Sequence, residues 1–151
     1  MPVSPEFAES NRTQTERLRR LVPRLDAEQF AVRLTNGWTV AGALAHIAVW
    51  DRQRLCLMRR WSAGVDCHGA YDGEVFNETL QPILELIPGD RIAAAAVQVA
   101  EEVDAFLLEV SDEVVAAALA RPDKPNLDRG SHRGYHLDQI ERALAKVGYA
   151  C

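Results

Sequence analysis

The feature that most constrains the fold is a regular spacing of apolar residues between positions 92 and 110. The intervals are four, three, four, three and four residues, and the residues are Ile92, Ala96, Val99, Val103, Phe106 and Val110. This spacing aligns the side chains on one helical face and is typical of helices that pack in bundles. No stretch shows the sustained alternation of a strand between turn signals. We therefore predict an all-α fold.

Three other segments have helical periodicity. The predicted long helices run from Pro5 to Val22, from Val40 to about Ser62 with Thr39 as N-cap, from Asp90 as N-cap to Val110, and from Gly130 or Ser131 to Val147. Four long amphipathic helices in 151 residues predict a four-helix bundle. The connection between helices 2 and 3 is a long crossover, with a short helix expected over residues 74–86. We find no repeat or linker, so residues 1–151 are predicted to form one domain.

Composition excludes several functional classes. The formal net charge is −5, so the basic field of a nucleic-acid-binding protein is missing. No apolar run has the roughly 18–20 residues that a membrane span needs. The cysteines, Cys56, Cys67 and Cys151, form no CxxC pair, which argues against a disulfide framework and favours a cytoplasmic protein.

Two histidines in the last predicted helix suggest a metal site. His132 and His136 are four residues apart, which places them on one helical face. The same stripe continues through Ile140 and Val147, so we expect the imidazoles to face the core. Imidazoles in that position need polar partners, and a metal ion would satisfy both at once.

His46 is the natural third ligand. It lies in the second predicted helix among small residues, including Ala43 and Ala45, which allow another helix to approach closely. Three imidazoles from two facing helices would leave a coordination position open, as catalytic metal sites do. The alternative is that each histidine is a hydrogen-bonded core residue without a metal.

Two segments of the chain resemble the DinB-like superfamily. Residues 37–47, which end in His46-Ile47, are similar to the signature of its second helix. Residues 132–140 match the H-x3-H-x2-Q-I signature of its last helix. Phe76-Asn77 is similar to the mycothiol-dependent maleylpyruvate isomerase branch of that superfamily.

The resemblance implies a four-helix bundle with an unusual connection order. It also implies that His46, His132 and His136 hold a divalent ion, zinc or nickel. Related proteins use mycothiol, bacillithiol or glutathione in transferase or isomerase reactions. Lys124 and Lys146 are the only lysines, an arginine bias typical of GC-rich coding that favours mycothiol.

We therefore expect a metal-dependent thiol S-transferase that acts on a small electrophile, with a thiol-dependent isomerase as a related possibility. The other hypothesis is a DinB-like protein that binds a metal, a small molecule or another protein without catalysis. A homodimer is expected by analogy with the superfamily, and no catalytic acid stands out. The candidate cofactor-binding residues are Asn11, Gln14, Tyr135 and Gln139, of which Gln139 lies one turn beyond His136; Asn11 and Gln14 either face solvent or line a pocket.

Overall fold

The computed structural model describes residues 3–69 and 72–150, and within them the chain contains seven α-helices and no strand. A 3-10 turn spans Val22–Arg24, and an isolated bridge joins Arg33 to Thr39. This confirms the predicted all-α fold. The helices are α1 (Pro5–Leu21), α2 (Ala27–Ala31), α3 (Val40–Ser62), α4 (Gly73–Leu84), α5 (Gly89–Glu109), α6 (Asp112–Leu119) and α7 (Arg129–Lys146).

The helix starts follow from local hydrogen bonding. The Thr39 side chain accepts from the backbone N–H of Gly42, which confirms Thr39 as the N-cap of α3. The prediction that Asp90 caps α5 is wrong. Pro88 is extended (φ −53°, ψ 133°) and its carbonyl accepts from Ile92, so α5 already begins at Gly89. Asp90 instead lies in the first turn, where its charge favours the positive end of the helix.

The four long helices pack closely with one another. Both α1 and α3 contact α5 and α7, and α2 and α4 pack against α3. The heptad-like residues of α5 face this interior: five of them are buried, and Phe106 is half-buried. Each fully buried aliphatic side chain stabilises the fold by about 1.5–3 kcal/mol.

The interior consists of two apolar clusters. The first includes Leu18, Leu44 and Ile140, and the second includes Met58 and Leu107. Three charged side chains that the sequence analysis did not identify are buried as well: Asp51, Arg129 and Arg133. They bear on the candidate site, because Arg129 contacts one of its histidines.

The connection from α3 to α5 contains α4, in agreement with the short helix predicted there. Gly64 follows the C-cap of α3 with φ +74°, a left-handed conformation that glycine adopts without steric cost and that ends the helix. In the part of the chain that the structure describes, no helix is both long enough and apolar enough to cross a membrane.

Candidate metal centre

The three histidines predicted as metal ligands lie together between α3 and α7. One nitrogen from each of His46, His132 and His136 lies within 4.8 Å of the others. Their ring centroids are 4.4–5.2 Å apart, and all three side chains are half-buried. His132 and His136 are one helical turn apart, and His46 precedes His132 by 86 positions in the sequence. The fold therefore brings the three histidines into one cluster.

Close packing at the start of α7 fixes the position of His132. Asp128 accepts from the backbone N–H of Ser131 and from the hydroxyl of Ser10 in α1. A Cβ atom at Gly130 would overlap the backbone and side chain of Ser10, so only glycine allows α7 to approach α1 this closely. These contacts hold the first turn of α7, and His132 with it, against the rest of the protein.

The geometry of the cluster suits a tetrahedral ion. The Nε2 atoms of His46 and His132 are 3.3 Å apart. Two nitrogens that bind one tetrahedral ion at about 2.0–2.1 Å would be roughly 3.3 Å apart. A nitrogen of His136 lies within 4.8 Å of the ligand atoms of the other two histidines, so the three side chains could hold one ion.

Burial keeps the histidines neutral. The pKa of His46 is lowered to about 3, mainly by burial, with further contributions from His136 and from the positive charge of Arg129. Burial also lowers the pKa of His132, with Arg129 contributing. The pKa of His136 is lowered by burial, and its bond to Gln139 partly opposes that shift. Neutral imidazole is the form that binds metal.

Gln139 orients His136. Its Oε1 atom lies 3.0 Å from Nδ1 of His136, and a carbonyl oxygen can only accept, so Nδ1 of the imidazole donates. The lone pair of the neutral ring is then on Nε2. Sequence analysis placed Gln139 one turn beyond His136, and the structure adds the hydrogen bond. Such partners are typical of histidines that bind metals.

Arg129 has the opposite effect on His132. Its Nη2 atom lies 2.9 Å from Nδ1 of His132, and because a guanidinium only donates, Nδ1 accepts. The proton of neutral His132 is then on Nε2, from which it points to Nε2 of His46. A metal that binds through this Nε2 must displace the proton. Otherwise the proton must move to Nδ1, where it would point at the N–H group of Arg129.

A buried ion network supports Arg129. Asp51 is fully buried and accepts from the Nε atoms of Arg129 and Arg133 at 2.8 and 2.6 Å. Arg133 also donates to Asp104, whose carboxylate accepts from the Thr15 hydroxyl as well. Asp51 is thus connected through Arg129 to His132, so the metal site and the core share one set of hydrogen bonds.

Hydrogen bonds within the protein satisfy the polar side chain of Asn11, so its burial does not require a ligand. Its side chain is 2% exposed, donates to the Leu127 carbonyl and accepts from the backbone N–H of Gly130. Gln14 accepts from Arg17 at 3.3 Å and lies beside Gly134. These two side chains therefore support the packing of α1 against α7. Tyr135 is exposed, and its ring lies 5.1 Å from that of His136.

The cleft that reaches the histidines is small. Its volume is about 100 Å³, and it is lined by Asn36, Trp38, Ala43, His46, Asn77 and His136. A much larger cleft of about 590 Å³ lies between α1 and α5. We assign the chemistry to the smaller one, because all four carboxylates of the larger cleft are already paired with arginine side chains; they are Glu9, Glu16, Glu101 and Asp104.

The prediction that the stripe of His132 and His136 faces the core needs correction. Ile140 is buried, as predicted for this stripe. The buried residues of α7 are Arg129, Gly130, Arg133, Leu137, Ile140, Ala143 and Leu144. The histidines lie at the edge of this stripe, and Val147, expected to face inward, is 57% exposed. The helix ends at Lys146, so Val147 leaves the helical face before its side chain can pack.

The lowered pKa values predict that mild acid destabilises the metal-free protein. The unfolded histidines bind protons below about pH 6.5, whereas the folded ones stay neutral until lower pH. The free energy of unfolding should fall from pH 6.5 to 5, by about 1.4 kcal/mol per pH unit for each neutral histidine.

Urea unfolding at several pH values measures this slope. His46→Gln should reduce it by about a third, and a flat profile would contradict the assignment.

Removing the partner of His136 is expected to weaken metal binding. Gln139→Leu loses the acceptor for Nδ1, and the dissociation constant for zinc should rise about 10- to 100-fold. Competition with a chelating dye measures this constant. Gln98→Leu is the matched control, since Gln98 donates to Glu102 on the same helix, α5, and is not part of the histidine cluster. Equal effects of the two substitutions would show that Gln139 does not act through His136.

Comparisons with protein-family models, curated proteins and solved structures find no match to this chain. The arrangement of the side chains therefore provides the main support for a functional proposal.

Proposed function

We propose that this protein is a metal-dependent thiol S-transferase in which His46, His132 and His136 hold a divalent ion. The observation that carries the proposal is the meeting of the three neutral imidazoles, with two Nε2 atoms 3.3 Å apart. The resemblance of residues 37–47 and 132–140 to the DinB-like superfamily supports it. We further propose the bundle type of that superfamily, with the crossover through α4, and zinc or nickel as the ion.

The chemistry would be nucleophilic substitution by sulfur. A divalent ion here would lower the pKa of a low-molecular-weight thiol, such as mycothiol, so that a thiolate is available near neutral pH. The sulfur would form a bond to an electrophilic carbon, and the leaving group would depart with the bonding electron pair. The cleft lining contains no described carboxylate that could act as an acid.

The residues around the cleft would position the reactants. The Trp38 ring lies 5.5 Å from the His46 ring, and Trp50 lies 6.1 Å from it. Trp50 donates to the side chain of Asn77, which also lines the cleft. Trp38 forms an apolar wall of the cleft that would limit the access of water and suits the carbon framework of a small substrate, and Trp50 holds Asn77 in place.

A second candidate is a binding protein without catalytic activity. The observation that favours it is the bond from Arg129 to Nδ1 of His132, which satisfies that imidazole without a metal. The small volume of the cleft, about 100 Å³, points in the same direction. In this case the histidines form a polar cluster linked to the buried ion network.

Thiol consumption distinguishes the two candidates. Zinc-loaded protein is incubated with mycothiol or glutathione and a chlorinated dinitrobenzene, and formation of the thioether is followed by absorbance. We expect the rate to exceed that of the metal-free protein and of zinc-treated His136→Ala. Equal rates in all three samples, despite bound zinc in the wild type, would favour the binding protein.

A further inference from the structure

A second cleft, next to the histidines, has an unusual charge. It has a volume of about 290 Å³ and lies between α7 and the segment before α3. Arg33, Arg142 and Lys146 line it, and no carboxylate is among the described side chains of its lining. Three other clefts that contain arginine side chains are also lined by aspartate or glutamate. In a chain with a net charge of −5, this is a local concentration of positive charge.

Two cations of this basic cleft, Arg142 and Lys146, have little internal neutralisation. Lys146 forms no ion pair within residues 3–69 and 72–150. The nearest carboxylate oxygen to Arg142 is that of Asp138, at 4.0 Å, and Asp138 itself pairs with Arg17 at 2.7 Å. Arg33 is more fully bonded, because its Nη1 donates to the Gly37 carbonyl at 2.6 Å and lies 3.5 Å from Glu85. An anion in the cleft would therefore meet its least compensated charges at Arg142 and Lys146.

The basic cleft is connected to the histidine cluster. Four of its lining residues, Tyr135, Gln139, Arg142 and Lys146, follow one another at intervals of four, three and four, so they form one stripe along α7. Gln139 belongs to both the basic cleft and the histidine cluster, because it lines the cleft and accepts from Nδ1 of His136. The Tyr135 ring also contacts the His136 ring.

We propose that the basic cleft binds the anionic end, a carboxylate or phosphate group, of an extended small molecule whose other end reaches the histidines. The claim that the other end reaches the histidines rests on the proposed function. The fork of Arg142 matches the geometry of an oxyanion, and Lys146 adds a point charge, with the charge of Arg33 nearby. The cations would both position the molecule and select against uncharged analogues.

The helix geometry limits the size of this molecule. Arg142 and Lys146 follow His136 by six and ten residues, a rise of about 9 and 15 Å along α7. A molecule that spans the distance from His136 to Arg142 has the dimensions of an extended tripeptide, which reaches about 10 Å, and Lys146 lies about one turn farther along the helix. The ligand class is therefore a thiol or electrophile of tripeptide size with an anionic terminus.

The first test uses simple anions and does not depend on a metal. Inorganic phosphate and succinate are titrated separately into metal-free protein, and backbone amide shifts are followed by NMR. We expect saturable shifts around Arg142 and Lys146, and the doubly substituted R142Q/K146Q protein should bind about five- to tenfold more weakly. The control R12Q/R20Q removes two exposed arginines of α1 and should bind as the wild type does. The preferred anion distinguishes phosphate from carboxylate.

The second test addresses the connection to the histidines. Zinc-loaded protein is titrated with an N-acetylated cysteine tripeptide that has either a free C-terminal carboxylate or an amide. The acid should bind about fivefold more tightly, and R142Q/K146Q should abolish this preference.

The outcomes separate this proposal from the proposed function. Simple anions should bind equally well to His136→Ala, so failure of the metal centre leaves the first test intact. Non-saturable shifts, or equal binding to wild type and R142Q/K146Q, would overturn the anion site. Anion binding without preference for the acidic tripeptide would overturn its connection to the histidines.

Discussion

Replacing Asp51 by asparagine is expected to lower the free energy of unfolding by about 3–5 kcal/mol. The Asp51 carboxylate is fully buried and accepts from the Nε atoms of Arg129 and Arg133, which are themselves at most 2% exposed. Asparagine has a similar volume but no charge, so two guanidinium groups would lose their shared counterion. A buried charge that loses its partner is far more costly than an exposed one.

Chemical unfolding followed by circular dichroism measures this loss. Glu9→Gln is the matched control, because it neutralises a carboxylate that pairs with Arg12 at the surface, with side chains 62% and 70% exposed. The control should change stability by less than about 1 kcal/mol. A similarly small effect of Asp51→Asn would mean that water or other side chains compensate the two arginines.

The second large effect concerns metal affinity. His136→Ala removes one of three ligands and should raise the dissociation constant for zinc by more than about 100-fold. This exceeds the effect expected when a residue that only hydrogen-bonds to a ligand is removed. Fluorescence competition with a chelator gives the constant. The intrinsic fluorescence of Trp38 and Trp50 should also change when zinc binds, since both rings lie within 6.1 Å of the His46 ring centre.

His68→Ala provides the control for this measurement. His68 is exposed in the segment after α3 and does not belong to the cluster. The control should keep the affinity of the wild type. If both substitutions weaken zinc binding equally, the ion binds at the surface and the histidine cluster is a polar part of the core.

Periodicity in the sequence predicted the helical architecture well. The apolar intervals in α5 and the Thr39 cap are local signals, and the structure follows them. The meeting of His46 with His132 depends on tertiary packing. It was still predictable, because both histidines lie on or beside apolar helical faces that must find partners.

The ion network was missed, although a signal for Asp51 existed. It lies on the α3 stripe between Ala48 and Leu55, where an apolar residue is expected. A charge in that position predicts a buried partner, but the sequence does not say which. The sequence also holds a signal for Arg133, which lies between the two histidines and precedes Leu137 by one turn on the core face.

The hydrogen bonds of the histidines could not be predicted at all. Whether Nδ1 accepts from Arg129 or donates to Gln139 depends on side-chain positions several ångströms apart in the fold. These bonds decide which nitrogen carries the proton, and with it how readily each ring binds an ion.

Metal stoichiometry tests the central claim most directly. Wild-type protein is loaded with zinc, freed of excess ion by gel filtration and measured by elemental mass spectrometry alongside His46→Ala. Three convergent imidazoles predict about one ion per chain in the wild type and almost none in the variant. Absence of zinc from the wild type, or an equal content in both proteins, would contradict the assignment of His46, His132 and His136 as a metal centre.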